Sequence, residues 1–289
     1  MIYEALLLIS EVVLSAYPLL IKLVDASVFF QTGLRMMIFT VLAVAGAAIT
    51  GAPLMPDVLF SGETIATGML NLLHVLTSYF AFDKLAAGNA MALFYTYPVF
   101  NIIGSALAFK EKIPMTSLPW IGLAFVGAVL LSQPTKTNWS AAGVAAALVA
   151  ALTETGIYLW FKSHKDDESD QPFTKMAQMY GSSGVLWVVG AVLLLAIGYI
   201  TSSTFNISLG GLGAVAAFNT FVGFLGYAMR FYIIPKVSTV GFSVMSFFGV
   251  ISAYLLSWVF IGETPSLTQG IGAAAIIAAN AVLLRKEIA

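Results

Sequence analysis

Ten stretches of mostly apolar residues follow one another along the chain, at about 2–22, 29–50, 63–82, 87–109, 115–132, 139–161, 173–200, 208–232, 237–260 and 267–285. Each is close to the roughly 20 residues a helix needs to cross the hydrocarbon core of a bilayer. No water is available there, so every backbone N–H and C=O has to be satisfied within its own segment, and each stretch is expected to be a helix. The fold class that follows is an all-α integral membrane protein of ten transmembrane helices. Composition fits: 60% of residues are hydrophobic and 9% charged, against roughly 25% charged in a soluble chain. The first stretch lacks a basic leader and a small-residue cleavage site, so it reads as a permanent helix and not a removed signal.

Several function classes drop out early. The net charge of −1 argues against nucleic acid as a partner. The absence of Cys and the presence of only His74 and His164 leave no thiol nucleophile and no Cys- or HExxH-type metal site. No GxxxxGK[ST] loop is present for driving transport with ATP. Neither a cofactor nor a metal is expected, and a membrane enzyme would have little from which to build a convergent catalytic set.

Most connections are short and punctuated, as at Gly51–Pro53, Lys110–Pro114 and Gln133–Pro134. The longest polar stretch, Lys162–Pro172, reads as a solvated surface loop. With the N-terminus placed in the cytoplasm, nine Lys and Arg fall on that side (110, 112, 162, 165, 175, 230, 236, 285 and 286) and four on the other (22, 35, 84 and 136). The positive-inside rule then puts both termini in the cytoplasm, and the compartment is taken to be the inner cell membrane.

The chain also repeats itself. "KLAAGNAMALFYTYPVFNIIGSALAFKE" (Lys84–Glu111) lies over "KVSTVGFSVMSFFGVISAYLLSWVFIGE" (Lys236–Glu263) at a constant offset of 152. At an offset of 143, Glu11 falls on Glu154, Lys22 on Lys165, Phe30 on Phe173 and Arg35 on Gln178. Residues 1–135 and 136–289 are thus two halves of five helices. An odd helix count turns the second half over and gives an inverted-topology repeat.

Glu11 and Glu154 are the sharpest polar feature, each a carboxylate inside an apolar helix and each at the matching place in its half. Ionisable groups at such depth usually face a bundle interior or a cavity. Burial and a nearby second carboxylate both disfavour the charged form, so the pair is suited to exchange a proton for a substrate; fixing the packing of the bundle is the competing reading. Glu11 shares its helix face with Ser15 and Pro18, and Pro18 frees a backbone carbonyl where the helix can open. Glu154 shares its face with Tyr158 and Phe161; Tyr158 and Trp160 suit either cation–π binding of an organic cation or anchoring at the interface.

Thr67, Asn71, His74 and Ser78 form a polar stripe on one face of the third helix, matched in the eighth by Asn219, Gly223, Gly226 and Arg230. These fit a substrate cavity or, alternatively, interhelical glue. Tyr95, Tyr97 and Asn101 surround Pro98 in the fourth helix, and the ninth carries Ser243, Ser246 and Gly249 instead. The candidate cavity is therefore Ser15, Asn71, His74, Ser78, Tyr95, Tyr97, Tyr158, Asn219 and Ser246 around Glu11 and Glu154. Arg35 and Arg230 lie toward segment ends and are expected to snorkel to the interfaces. The small-residue tenth helix reads as a packing surface against the fifth.

With these residues in view, the chain resembles the EamA-type members of the drug/metabolite transporter superfamily. The features are two five-helix repeats, closed at their fourth helices by Lys84, Pro98 and Lys110–Glu111 and by Lys236 and Gly262–Glu263. "SEVVLSAYPLLIK" is also similar to the first helix of small multidrug resistance proteins, whose A-E-V-type Glu binds protons and cationic drugs alternately. Those proteins pair two subunits in opposite orientations, whereas this chain would hold both copies, as Glu11 and Glu154; Pro18 and the ten helices depart from that pattern. The resemblance implies a secondary transporter working by alternating access, with helices one, three, four, six, eight and nine around the cavity and five and ten at the periphery. The expected partners are protons, the lipid bilayer and a small organic substrate. Paired acids beside aromatics favour a cation or zwitterion such as an amino acid. Export is the expected direction, from a monomer or weak dimer; an uncoupled uniporter or a scaffold without transport are the alternatives.

Overall fold

The computed structural model describes residues 2–51, 61–132, 140–164, 180, 184–201, 207–262 and 264–288. Within them the regular structure is helical throughout: α1 (Ile2–Leu14), α2 (Tyr17–Leu23), α3 (Val28–Thr50), α4 (Gly62–Lys84), α5 (Ala87–Phe94), α6 (Tyr97–Phe109), α7 (Leu118–Ser132), α8 (Ala141–Ser163), α9 (Gly184–Thr201), α10 (Leu209–Ala217), α11 (Leu225–Ile233), α12 (Thr239–Ser246), α13 (Phe248–Ile261) and α14 (Leu267–Ile288). Each of the ten apolar stretches carries helix. Seven continuous spans are long and apolar enough to cross a membrane: Ile2–Leu23, Val28–Thr50, Ile65–Lys84, Ala87–Phe109, Ala141–Ser163, Leu209–Lys236 and Thr239–Ile261. The apolar parts of α7, α9 and α14 are shorter. The Lys162–Pro172 loop lies outside the described residues beyond His164, as do residues 173–179.

Local chemistry sets the boundaries. Ser140, Ser208 and Ser238 cap α8, α10 and α12, each hydroxyl accepting from the backbone N–H three residues on, the donor that an N-terminus otherwise leaves unpaired. The α6 and α13 helices both end in the left-handed region, at Lys110 (φ 54°) and Gly262 (φ 78°), positions separated by the repeat offset of 152.

Three spans are interrupted. The first breaks at Ser15–Ala16 and the fourth at Tyr95–Thr96, each two to three residues before a proline that cannot donate to the helix ladder. The ninth breaks at Phe247 without a proline, the backbone N–H there reaching back three residues to Val244. Tyr95 and Phe247 are again 152 apart. The eighth span widens instead into a π-helical turn at Phe218–Phe224.

The repeat shows in the packing. The α4 helix runs along α8 and, in the corresponding place, α11 along α1; α5 meets α13 while α6 meets α12, so the fourth and ninth spans cross antiparallel. The α14 helix packs along α7, as its small residues suggest: a Cβ on Gly127 or Gly272 would come within 2.6 Å of the other's carbonyl oxygen. Large apolar side chains such as Leu107, Phe221 and Val259 are 70–80% exposed on the outside, an arrangement that suits lipid.

Candidate functional site

The interruption at Ser15–Ala16 lies one turn beyond Glu11, which is 0% exposed at the centre of the bundle. Its carboxylate accepts from Tyr95 Oη at 2.7 Å, Ser246 Oγ at 3.0 Å, Tyr97 Oη at 3.4 Å and Arg230 Nη1 at 2.5 Å. The break in the fourth span places Tyr95 and Tyr97 on this side of the bundle together. Gly249 makes room for one of them, since a Cβ there would stand 1.9 Å from the Tyr95 hydroxyl.

Glu154 comes from the other half and meets the same guanidinium. Arg230 Nη2 lies 2.9 Å from Glu154 Oε1, close enough for an ion pair but without hydrogen-bond alignment, since that nitrogen makes no hydrogen bond. On the other side His74 Nε2 is 3.4 Å from Glu154 Oε2, and that oxygen accepts no hydrogen bond. His74 Nδ1 faces Ala150 O and Thr153 Oγ1, both at 3.3 Å, and Nε2 also faces Tyr227 Oη at 3.4 Å. One arginine thus joins two acids that sequence spacing alone had brought into correspondence.

Arg230 does not snorkel. It is 3% exposed, and its guanidinium lies over the rings of Tyr97 (4.9 Å) and Phe242 (5.2 Å). The reason is length: the eighth span runs over 28 residues, Leu209–Lys236, so Arg230 lies inside it. Arg35 is corrected in the same way. It is 2% exposed, packed against Tyr17, Phe39, Tyr79 and Tyr227, and follows Gln31 and Thr32, themselves buried.

The remaining expected residues scatter. Ser78 lines a central cavity of about 20 Å³ together with Tyr17, Arg35, His74, Tyr95, Glu154, Tyr227 and Arg230, room for about one water. The site is therefore too small for an organic substrate in this conformation. Asn219 sits in the neighbouring aromatic cluster, its Oδ1 accepting from Tyr17 Oη at 3.2 Å and Tyr79 Oη at 3.5 Å. Ser15 and Asn71 are buried but turn back onto carbonyls of their own helices, Val12 and Thr67.

Tyr158 points away from Glu154. Its ring lies 5.0 Å from Phe242 and its hydroxyl donates to Thr239 at 3.1 Å. There Glu111 pairs with Lys162 at 2.8 Å and accepts from Thr239 at 2.6 Å, and Lys162 also donates to Thr239. Lys162 is thus held at the end of α8 and is not part of a solvated loop. Glu111, Lys162 and Thr239 line an open cavity of about 710 Å³ at one end of the bundle, together with Lys112, Ile113, Pro114, Thr116, Ile234–Val240 and Leu283. Trp160 donates to Glu63 at 2.6 Å near the surface, as an interfacial residue would.

A family model described as the EamA-like transporter family matches residues 1–133 and 173–285. A solved crystal structure is similar in fold, with a TM-score of 0.74 and 17% identity over 97% of this chain and 96% of that one. Among curated proteins no sequence matches.

Proposed function

The chain belongs to the EamA-like transporter family, a multi-pass membrane protein, and from that premise we propose that it is a secondary transporter of a small organic metabolite working by alternating access. The observation that carries the reading is Arg230 held between Glu11 and Glu154, three buried charges contributed by the two halves of the chain. Ionisable groups so deep in a membrane protein typically belong to a transport pathway.

Ten membrane helices in two inverted repeats, 1–135 and 136–289, support that cycle; the antiparallel crossing of the fourth and ninth spans favours the inversion. With both termini cytoplasmic in the inner membrane, the 710 Å³ vestibule opens to the cytoplasm and the central cavity is too small to hold an organic substrate in this conformation. Export then begins with entry past Thr239, Tyr158 and Phe242. The cavity lining draws on the first, third, fourth, sixth and eighth of the expected helices, without the ninth, and adds the second through Arg35.

Proton coupling belongs to the same proposal. With both acids ionised, the Glu11–Arg230–Glu154 group carries one net negative charge, which is costly to bury. A proton on one acid, or an ammonium group of the substrate beside it, balances this group, and alternation between the two gives exchange.

The test is flux of labelled amino acids and polyamines in proteoliposomes under an imposed pH gradient. Gradient-dependent flux is expected in the wild type and its loss in the Glu11→Gln/Glu154→Gln double variant. Equal pH dependence in that variant would remove the coupling; lack of counterflow for any compound that stabilises the protein would remove transport itself.

A further inference from the structure

Arg35 stands apart from the three central charges. Among the described residues no carboxylate pairs with its buried guanidinium, and its Nε makes no hydrogen bond. Its neighbours are the rings of Tyr17, Phe39, Tyr79 and Tyr227, with centroids 4.6, 4.9, 5.5 and 4.9 Å away. Ring faces and the hydroxyls of Tyr79, Tyr180 and Tyr227 beside it carry no full charge and offset the loss of water only in part, whereas an anion at hydrogen-bond distance would offset it directly.

Arg35 shares its surroundings with the central charges. The guanidinium lines the same small cavity as His74, Glu154 and Arg230. Tyr227 joins the two clusters, its ring against Arg35 and its hydroxyl against His74 Nε2. Gly223 lets Tyr17 pack here, since a Cβ there would stand 2.0 Å from the Tyr17 hydroxyl. Leu14, Phe82, Met91 and Phe94 give the same cavity apolar walls.

Formal charge narrows the occupant. Glu11 and Glu154 ionised, with Arg35 and Arg230, sum to zero. A simple cation would add positive charge beside an already uncompensated arginine. A molecule with a carboxylate at Arg35 and an ammonium at the unsatisfied Oε2 of Glu154 adds no net charge. We infer that Arg35 is an anion subsite of the central cavity and binds a carboxylate on the substrate; the inference rests on the transport reading above for calling that ligand a substrate. It narrows the cation or zwitterion that the paired glutamates suggest to a molecule that carries a carboxylate.

Three isosteric probes separate the possibilities: leucine, 4-methylpentanoate (no amine) and leucinamide (no carboxylate), each read by the shift in melting temperature of the full chain in nanodiscs. Leucine and 4-methylpentanoate are expected to stabilise the protein and leucinamide to leave it unchanged. Arg35→Gln is expected to weaken leucine binding about tenfold or more, the scale of a charge-assisted hydrogen bond. Arg35→Lys, which keeps the charge without the planar fork, is expected to bind leucine less tightly than wild type yet still in preference to leucinamide, and it decides the matter if Arg35→Gln does not fold. Equal stabilisation by leucinamide, no stabilisation by either carboxylate, or undiminished binding in Arg35→Gln would overturn the inference. Counterflow of labelled leucine keeps the two readings distinct. Arg35-dependent binding without counterflow retains the subsite and removes transport, whereas counterflow indifferent to Arg35→Gln does the reverse.

Discussion

Glu11 and Glu154 occupy corresponding places in the two repeats, yet their surroundings differ in kind. Glu11 is enclosed by four donors, from Tyr95, Tyr97, Ser246 and Arg230. Glu154 has the off-axis Nη2 of the same arginine and a histidine 3.4 Å away, with one oxygen accepting no hydrogen bond. The difference originates in the partner helices: the fourth span offers two tyrosines where the ninth offers small residues. A duplicated sequence position has thus acquired two environments, one closed by donors and one with an oxygen that accepts no hydrogen bond. In the cycle proposed above, exchange is assigned to the acid with the open oxygen, Glu154.

Removing the residue common to both acids should have the largest effect. Arg230→Gln leaves two carboxylates buried without a counter-charge and is expected to cost about 3–5 kcal/mol of stability, read as a large drop in melting temperature with loss of flux. A melting temperature near that of wild type would mean that the acids are not jointly held. Splitting the pair comes next. Glu11→Gln strands donors aimed at a carboxylate and should cost about 1–3 kcal/mol, whereas Glu154→Gln should cost less and flatten the pH dependence of flux. The opposite order, with Glu11→Gln the milder change and the one that removes pH dependence, would reverse the assignment of roles. The smallest effect compares the two left-handed helix ends. Lys110→Gly relieves a strain that Gly262 does not have and should raise stability by about 1 kcal/mol, while Gly262→Ala should lower it similarly; chemical denaturation of the two variants measures both.

Much of the scaffold was legible because membrane physics leaves few options. Length and apolarity located the helices, and Pro18 and Pro98 marked two of the three interruptions. The correspondence of Glu11 with Glu154 brought out both acids of the site. The third interruption, at Phe247, has no proline, and the π-turn at Phe218–Phe224 has no residue type that announces it; both depend on how neighbouring spans cross. Arg230 and Arg35 were misread for a definable reason. Snorkelling presumes that the segment ends nearby, and the eighth span does not. The four-residue spacing of Arg230 from Gly226 already placed it on the stripe that faces inward, and that signal outweighs nearness to an end. Tyr158 shows the converse. It lies one turn from Glu154 on the same face, and one turn is enough to carry it out of the centre and onto Thr239 and Phe242.

The interruptions determine how large a piece must move. Tyr17–Leu23, Ala87–Phe94 and Thr239–Ser246 are rods of seven, eight and eight residues, whereas α8 runs unbroken for 23. Two of the short rods, α2 and α5, lie against each other at the end of the bundle remote from the vestibule, and the third, α12, borders the vestibule itself. Tilting two short levers at one end and one at the other would open either doorway while α8, carrying Glu154, stays in place as a post.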